Sequence, residues 1–321
     1  MNRPIASVSL DLDNLWTYMK THGDTGWADY PSYLDIVVPR TLDILKQRDW
    51  HITWFIVGKD AEEPKHHAVL KQITEQGHEV GNHSYHHEPW LHLYSEAEIE
   101  AELARTEAAI EQATGVRPTG FRGPGYSYSP TLLNVLSRRG YAYDASTFPT
   151  FLGPIARLYY LASAKNLSAE EREKRQKLFG RFGDGLRPLR PYMWRTETGP
   201  LLEIPVTTMP FFKVPIHLSY LLYLGGFSRT LAKLYWRTAL TLCRMTGIEL
   251  SLLLHPLDFL GSDDTDRLSF FPAMKRPAAG KLKLVGELFD MLESAYTVVP
   301  MRDHANAILA RTTPPIMYAE Q

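Results

Sequence analysis

The chain has 321 residues and a single cysteine, Cys243, so neither a disulfide framework nor a cysteine-rich zinc site can be built from it. No run of 18 uncharged apolar residues exists, which leaves no candidate transmembrane helix. Net charge is nearly absent as well. The 35 basic and 36 acidic side chains give a formal −1 and a pI near 6.9, which argues against nucleic acid as a partner. No internal repeat or low-complexity tract is found. No signal peptide is read before the apolar run 5–11, so a cytoplasmic location is expected.

What the chain does have is a core-forming composition, 44% hydrophobic, and a regular alternation of strand-like and helix-like segments. Apolar runs at 7–11, 52–57, 79–82, 119–122, 142–144, 202–207, 249–255 and 297–299 predict strands. Amphipathic stretches at 39–48, 65–76, 95–114, 130–139, 228–245 and 280–294 predict helices between them. The helix at Ser95 opens on a capping box with Glu98 and stops at Gly115. Seven or eight βα units predict one α/β domain over 1–321, a distorted, closed or nearly closed (β/α) barrel. A doubly wound sheet is the alternative. The rhythm breaks at about 150–200, which reads as an insertion of helix and loop. Residues 151–195 carry a balance of +6, and the stretch 214–228 holds no acid or base but His217.

Five clusters fall at or just after the C-terminal ends of predicted strands, where barrels build their sites. The first holds Asp11 and Asp13, two carboxylates at i, i+2. Alone they read as a solvated strand end; otherwise they need a cation or an arginine between them. The second holds His83 and His87. In a helical turn an i, i+4 spacing puts both imidazoles on one side, suited to a divalent metal once a carboxylate is near, and leaves His86 off that face. Surface histidines are the plainer reading of the same run. The third is Arg122-Gly123-Pro124-Gly125-Tyr126: a plain βα turn, or an arginine to orient a carboxylate and a backbone N–H for an oxyanion. The fourth is Asp144 at a small acidic strand end. The fifth is His255 after 252–254, a core histidine or a general acid at the rim.

Taken in order, these clusters resemble the five motifs of the NodB-homology polysaccharide deacetylases, carbohydrate esterase family 4. The resemblance spans roughly 5–150 and 200–300. It implies a hydrolase of carbon–nitrogen bonds with a general base at Asp11 held by Arg122. It implies one divalent metal on Asp13, His83 and His87, most often zinc, with cobalt, manganese, nickel or iron as alternatives. It also implies an oxyanion donor at the Gly125 N–H and a general acid at His255. Tyr126 and Asp144 are the candidate substrate-binding residues, and Asp144 is also the candidate partner of His255. Two departures stand out: Leu12 separates aspartates that are usually adjacent, and Gly125 replaces a tyrosine. The Asp-x-Asp form is similar to the branch with deformylases of lipid-linked aminoarabinose and some amidase-like members.

A cytoplasmic chain of this family is expected to remove an acetyl or formyl group from an amino-sugar precursor, free or polyprenyl-linked. The basic insertion and the apolar segment at about 211–228 suit an anionic membrane surface beside the active-site mouth. The same stretches suit a packed lid or a dimer interface. A cyclic amide or ureide amidase of the allantoinase type and a non-catalytic glycan-binding module are the competing readings.

Overall fold

The computed structural model describes residues 3–154 and 182–319. Its strands are β1 (Ile5–Leu12), β2 (Thr53–Ile56), β3 (Glu79–Asn82), β4 (Gly120–Phe121), β5 (Tyr143–Asp144), β6 (Tyr192–Arg195), β7 (Pro200–Glu203), β8 (Leu250–Leu254), β9 (Thr297–Val299) and β10 (Ile316–Met317). They form one sheet in the order β10-β6-β7-β5-β4-β3-β2-β1-β8, with β9 also on β1. Every pairing is parallel except that of β6 with β7. Rungs Ala6 and Ser7 of β1 pair with both β8 and β9, and rungs Ser9 and Leu10 with both β8 and β2. Strands β9 and β2 therefore follow one another along the same edge of β1. The expected barrel is thus present in a distorted form whose strand path ends at β8 and β10.

Helices α1 (Leu15–His22), α2 (Leu34–Lys46), α3 (Gly58–Glu62), α4 (Pro64–Glu75), α5 (Glu96–Thr114), α6 (Pro130–Arg138), α7 (Leu218–Phe227), α8 (Arg229–Thr246), α9 (Ala278–Ala295) and α10 (Met301–Arg311) accompany the sheet. Helix α5 begins and ends as its capping box and glycine predict, with Gly115 at φ 78°. Helix α2 starts earlier than the expected position 39. Leu34, Val37, Val38, Leu42 and Leu45 form a buried stripe that carries the helix through Pro39. Pro39, the sixth residue of the helix, lacks the N–H that would bond the Asp35 carbonyl, a cost that the burial of this stripe offsets.

The predicted helices omitted α1, α3, α7 and α10. Helix α7 is apolar on nearly all sides, so it carries no amphipathic period. Most of the expected insertion, and the basic run within it, lies outside the described residues. Its final part supplies β6, an integral strand with Trp194 fully buried. Of the expected apolar patch, Ile216, Leu218, Leu221 and Leu222 belong to the core, whereas Phe211, Phe212, Tyr223 and Phe227 are exposed. Among the described residues, no helix is long and apolar enough to cross a membrane.

Candidate active site

The sheet register delivers the predicted residues to one edge. Leu10 pairs with Leu254, Leu12 with Ile56, Ile56 with Asn82, and Asn82 with Phe121. Asp11 and Asp13, His83, Arg122 and His255 each lie in or just past one of these rungs, at the C-terminal ends of parallel strands.

Asp13 closes back on its own strand, its N–H donating to the Asp11 carbonyl at 2.8 Å. Its Oδ1 lies 2.9 Å from His87 Nε2 and 3.3 Å from His83 Nε2. The ligand atoms of the three side chains all fall within 4.8 Å of one another. His83 Nδ1 sits 2.7 Å from the Arg122 carbonyl, an acceptor, so that nitrogen carries the proton and Nε2 presents a lone pair to Asp13. Asp13 Oδ1 is accordingly buried without a hydrogen-bond donor. An acceptor-rich cluster of two imidazoles and one carboxylate is the donor set of a divalent cation such as zinc, and it leaves coordination positions open.

The expected helical turn does not bring the two imidazoles together. Residues 83–87 form a loop with Ser84 at φ 58° and His87 at φ 54°, both in the left-handed region. Side chains fix that path. Asn82 Oδ1 accepts from the Ser84 N–H at 2.8 Å, and Ser84 Oγ from the His87 N–H at 3.2 Å. Glu102 of α5 accepts from the N–H groups of Tyr85 at 2.9 Å and His86 at 3.1 Å, and it also holds the His86 imidazole. His86 is thereby turned to Glu102, and the helical face expected to exclude it is not formed. Glu102 escaped the sequence reading. Its signal is an acid on the buried face of α5, beside Ile99, Leu103 and Thr106.

Arg122 is fully buried. Its Nη1 donates to Asp11 Oδ1 at 2.8 Å and to Ser9 Oγ at 2.7 Å, and its Nε to the Ala145 carbonyl at 3.0 Å. The guanidinium stacks over Phe55 at 4.5 Å. Asp11 Oδ2 faces His83 Nε2 at 3.9 Å, so the carboxylate meets an arginine on one side and the three-residue cluster on the other. After Arg122 the chain tightens into a 3-10 turn with Gly125 at φ 57° and Tyr126 at φ 62°. The N–H groups of Tyr126 and Ser127 bond the carbonyls of Gly123 and Pro124, and the N–H of the exposed Gly125 takes part in neither bond. Tyr126 stacks on Phe148 at 4.8 Å, and its hydroxyl is pushed up by burial and by Asp11.

His255 follows β8, beside Asp11 in the register. Its Nδ1 is 3.2 Å from Ser219 Oγ, and its N–H donates to Asp258 Oδ2 at 2.8 Å. The expected partner, Asp144, is elsewhere. Asp144 is fully buried beneath the arginine turn and accepts from Ser146 Oγ at 2.5 Å, so it neither contacts His255 nor reaches the site surface. His217 packs 6.3 Å from His255, and its pKa is pushed down to about 3 by burial and by that neighbour.

Residues 24–143 match the sequence profile of the family described as Polysaccharide deacetylase, a span that holds His83, His87 and Arg122. A peptidoglycan deacetylase of Helicobacter pylori is 32% identical over 149 residues, which is 44% of this chain and 49% of that protein. A peptidoglycan deacetylase-like protein of Gibberella zeae is 32% identical over 174 residues, 52% of this chain and 49% of its own. The chain spans about half the length of these curated relatives. The crystal structure of a Mycobacterium smegmatis protein described as a candidate polysaccharide deacetylase superposes with a TM-score of 0.66 at 20% identity. It covers 100% of this chain and 96% of that one, which bears out the distorted-barrel fold. Over residues 24–143 this chain is thus similar to the polysaccharide deacetylase family, the resemblance that the motifs carry.

Proposed function

We propose that the protein is a metal-dependent hydrolase that removes an N-acyl group from an amino sugar of a glycan. One observation carries the reading: the Asp13, His83 and His87 cluster lies directly against Asp11, a carboxylate that Arg122 holds at 2.8 Å. The residues fit a divalent cation, zinc first, on Asp13, His83 and His87. Bound there, such an ion would supply Lewis-acid polarisation and a water acidic enough to lose its proton near neutral pH.

The remaining work falls to the chain. Asp11, oriented by Arg122, takes a proton from the attacking water. The Gly125 N–H is aimed where negative charge grows on the amide oxygen. His255, backed by Ser219, gives a proton to the departing nitrogen, so the products are a carboxylate and a free amine. Tyr126, stacked on Phe148, offers a flat wall to the sugar.

The finer part of the proposal is a membrane-carried, polyprenyl-linked substrate. Its support is the exposure of Phe211 and Phe227, each 73%, and a cavity of about 660 Å³ lined by Tyr223, Phe227, Arg229 and Arg276 among others. Aromatic rings beside cations suit the interface of an anionic bilayer.

Amine release from N-acetylglucosamine oligomers and from N-formylated and N-acetylated glycolipids tests the reaction. Release from one of them, abolished by Asp11→Asn, is expected. Metal binding without amine release from any would overturn the reading in favour of a glycan-binding module. Co-sedimentation with anionic vesicles that weakens with salt is expected for the membrane part; no binding at low salt would leave a soluble glycan as substrate.

A further inference from the structure

Beneath the arginine turn lies a second pair of acids that the proposed reaction does not use. Asp144 of β5 and Glu203 of β7 face each other in register, and both are fully buried. Glu203 Oε1 accepts from the Thr147 N–H at 3.0 Å and from its hydroxyl at 2.5 Å, and Oε2 accepts from Trp194 Nε1 at 3.0 Å. Asp144 Oδ1 accepts from Ser146 Oγ at 2.5 Å, while Asp144 Oδ2, beside Glu203 across the register, is buried without a hydrogen-bond donor. Among the described residues, the cation that acts on Asp144 is Arg122, already engaged by Asp11, Ser9 and the Ala145 carbonyl. The phenols of Tyr128 and Tyr192 are the other titratable groups that face the pair.

Two ionised carboxylates cannot share a dry site without a counter-ion. One proton held between them removes the conflict and turns the pair into a single anion with one internal hydrogen bond. Burial pushes both Asp144 and Glu203 above their ordinary ranges, which keeps one proton with the pair. Asp144 Oδ1 fixes the Ser146 hydroxyl. Ser146 Oγ in turn accepts from the Gly123 N–H at 2.8 Å. The chain of bonds therefore runs from Glu203 through Asp144 and Ser146 to the first residue of the turn that carries Gly125. Gly123 has no room to adjust, since a Cβ there would stand 2.0 Å from the Ser127 carbonyl oxygen.

We propose that Asp144 and Glu203 share one proton and, through Ser146, act as positioning residues that set the Gly123–Gly125 turn and so the direction of the Gly125 N–H. The functional half of this inference rests on the deacylase reading above; the shared proton does not.

Infrared difference spectra of the wild-type chain against Glu203→Gln at pH 7 test the proton. A carboxylic acid C=O band, shifted in D2O and missing from the variant, is expected; only carboxylate bands would overturn the pair. Ser146→Ala tests the positioning. It is expected to lower kcat roughly tenfold or more with KM and bound metal unchanged, in line with the sensitivity of catalysis to small misplacements. It is also expected to shift the Gly123 and Gly125 amide resonances. Unchanged amide resonances would overturn the positioning role whether or not the chain turns over a glycan. Absent wild-type turnover with the band present would remove the deacylase reading alone. Glu203→Gln, which keeps a donor toward Asp144, is expected to retain more turnover than Glu203→Leu; equal loss in both would contradict the relay.

Discussion

Arg122 Nη1 stands 2.8 Å from Asp11 Oδ1, with the arginine fully buried and the aspartate nearly so. The pair joins the loop after β4 to the end of β1 across 111 residues of chain. Ser9 Oγ, the Ala145 carbonyl and Met301 Sδ take the other guanidinium donors, so the arginine works as a fixed bracket rather than a mobile charge.

Arg122→Met removes that bracket and leaves the Asp11 carboxylate buried without a cation. Breaking a buried pair in this way costs about 3–5 kcal/mol. A clear fall in the denaturant midpoint, together with loss of turnover, is expected by chemical unfolding and amine-release assays. A variant as stable as the wild type would show that Arg122 orients nothing essential to the fold.

His87→Ala and His86→Ala separate the two neighbouring imidazoles. Calorimetric titration with zinc is expected to show one site in the wild type and in His86→Ala, and severe loss of affinity in His87→Ala. A bound ion also stabilises the folded chain, by about 2.7 kcal/mol at a hundredfold excess over Kd, so the melting temperature of His86→Ala but not His87→Ala should rise with metal.

Glu102→Gln reaches the same site from behind. The neutral amide accepts less strongly from the Tyr85 and His86 N–H groups, and the loop that carries His83 and His87 loosens. Metal affinity is expected to fall by about 10–100-fold, as for other partners that orient metal ligands. Unchanged affinity would mean that the left-handed Ser84 and His87 hold the loop unaided.

Glu249 gives the fold a pH dependence away from the site. Burial works to raise its pKa, but His304, Arg311 and the Ile5 N–H prevail and set it at about 2 instead of the ordinary 4.5. A depressed carboxylate stabilises the fold above the unfolded value, and that contribution disappears as pH falls from about 4.5 toward 2. Screened at its solvent-facing edge, it is worth about 1–2 kcal/mol. Urea unfolding from pH 7 to pH 2 should show Glu249→Gln less stable than the wild type at pH 7 and converging with it at pH 2. Parallel curves would remove Glu249 as the cause.

The sequence made the chemistry legible and left the geometry partly hidden. Asp11, Asp13, His83, His87, Arg122 and His255 stand out because a carboxylate pair, spaced imidazoles and a strand-end arginine have few other reasons to follow apolar strands in that order. The route that joins His83 to His87 was not readable, since a helical turn and a loop with two left-handed residues satisfy the same spacing. Ser219 as the partner of His255 was equally hidden. It lies in α7, whose unbroken apolar character conceals the helix itself. Asp144 was legible as an important acid but not as a buried one, because its burial depends on Glu203, 59 residues later and brought alongside only by the β5–β7 register. Strands β6 and β10 are short and flanked by Pro191, Gly199, Pro200 and Pro315, whose turn character masks them.

A crystal of the protein grown with zinc, with anomalous differences recorded at the zinc edge, tests the central claim most directly. One peak is expected, within bonding distance of Asp13 Oδ1, His83 Nε2 and His87 Nε2, with Asp11 beside it on Arg122. A site without a peak, or a peak bound by His86 in place of His87, would contradict the account.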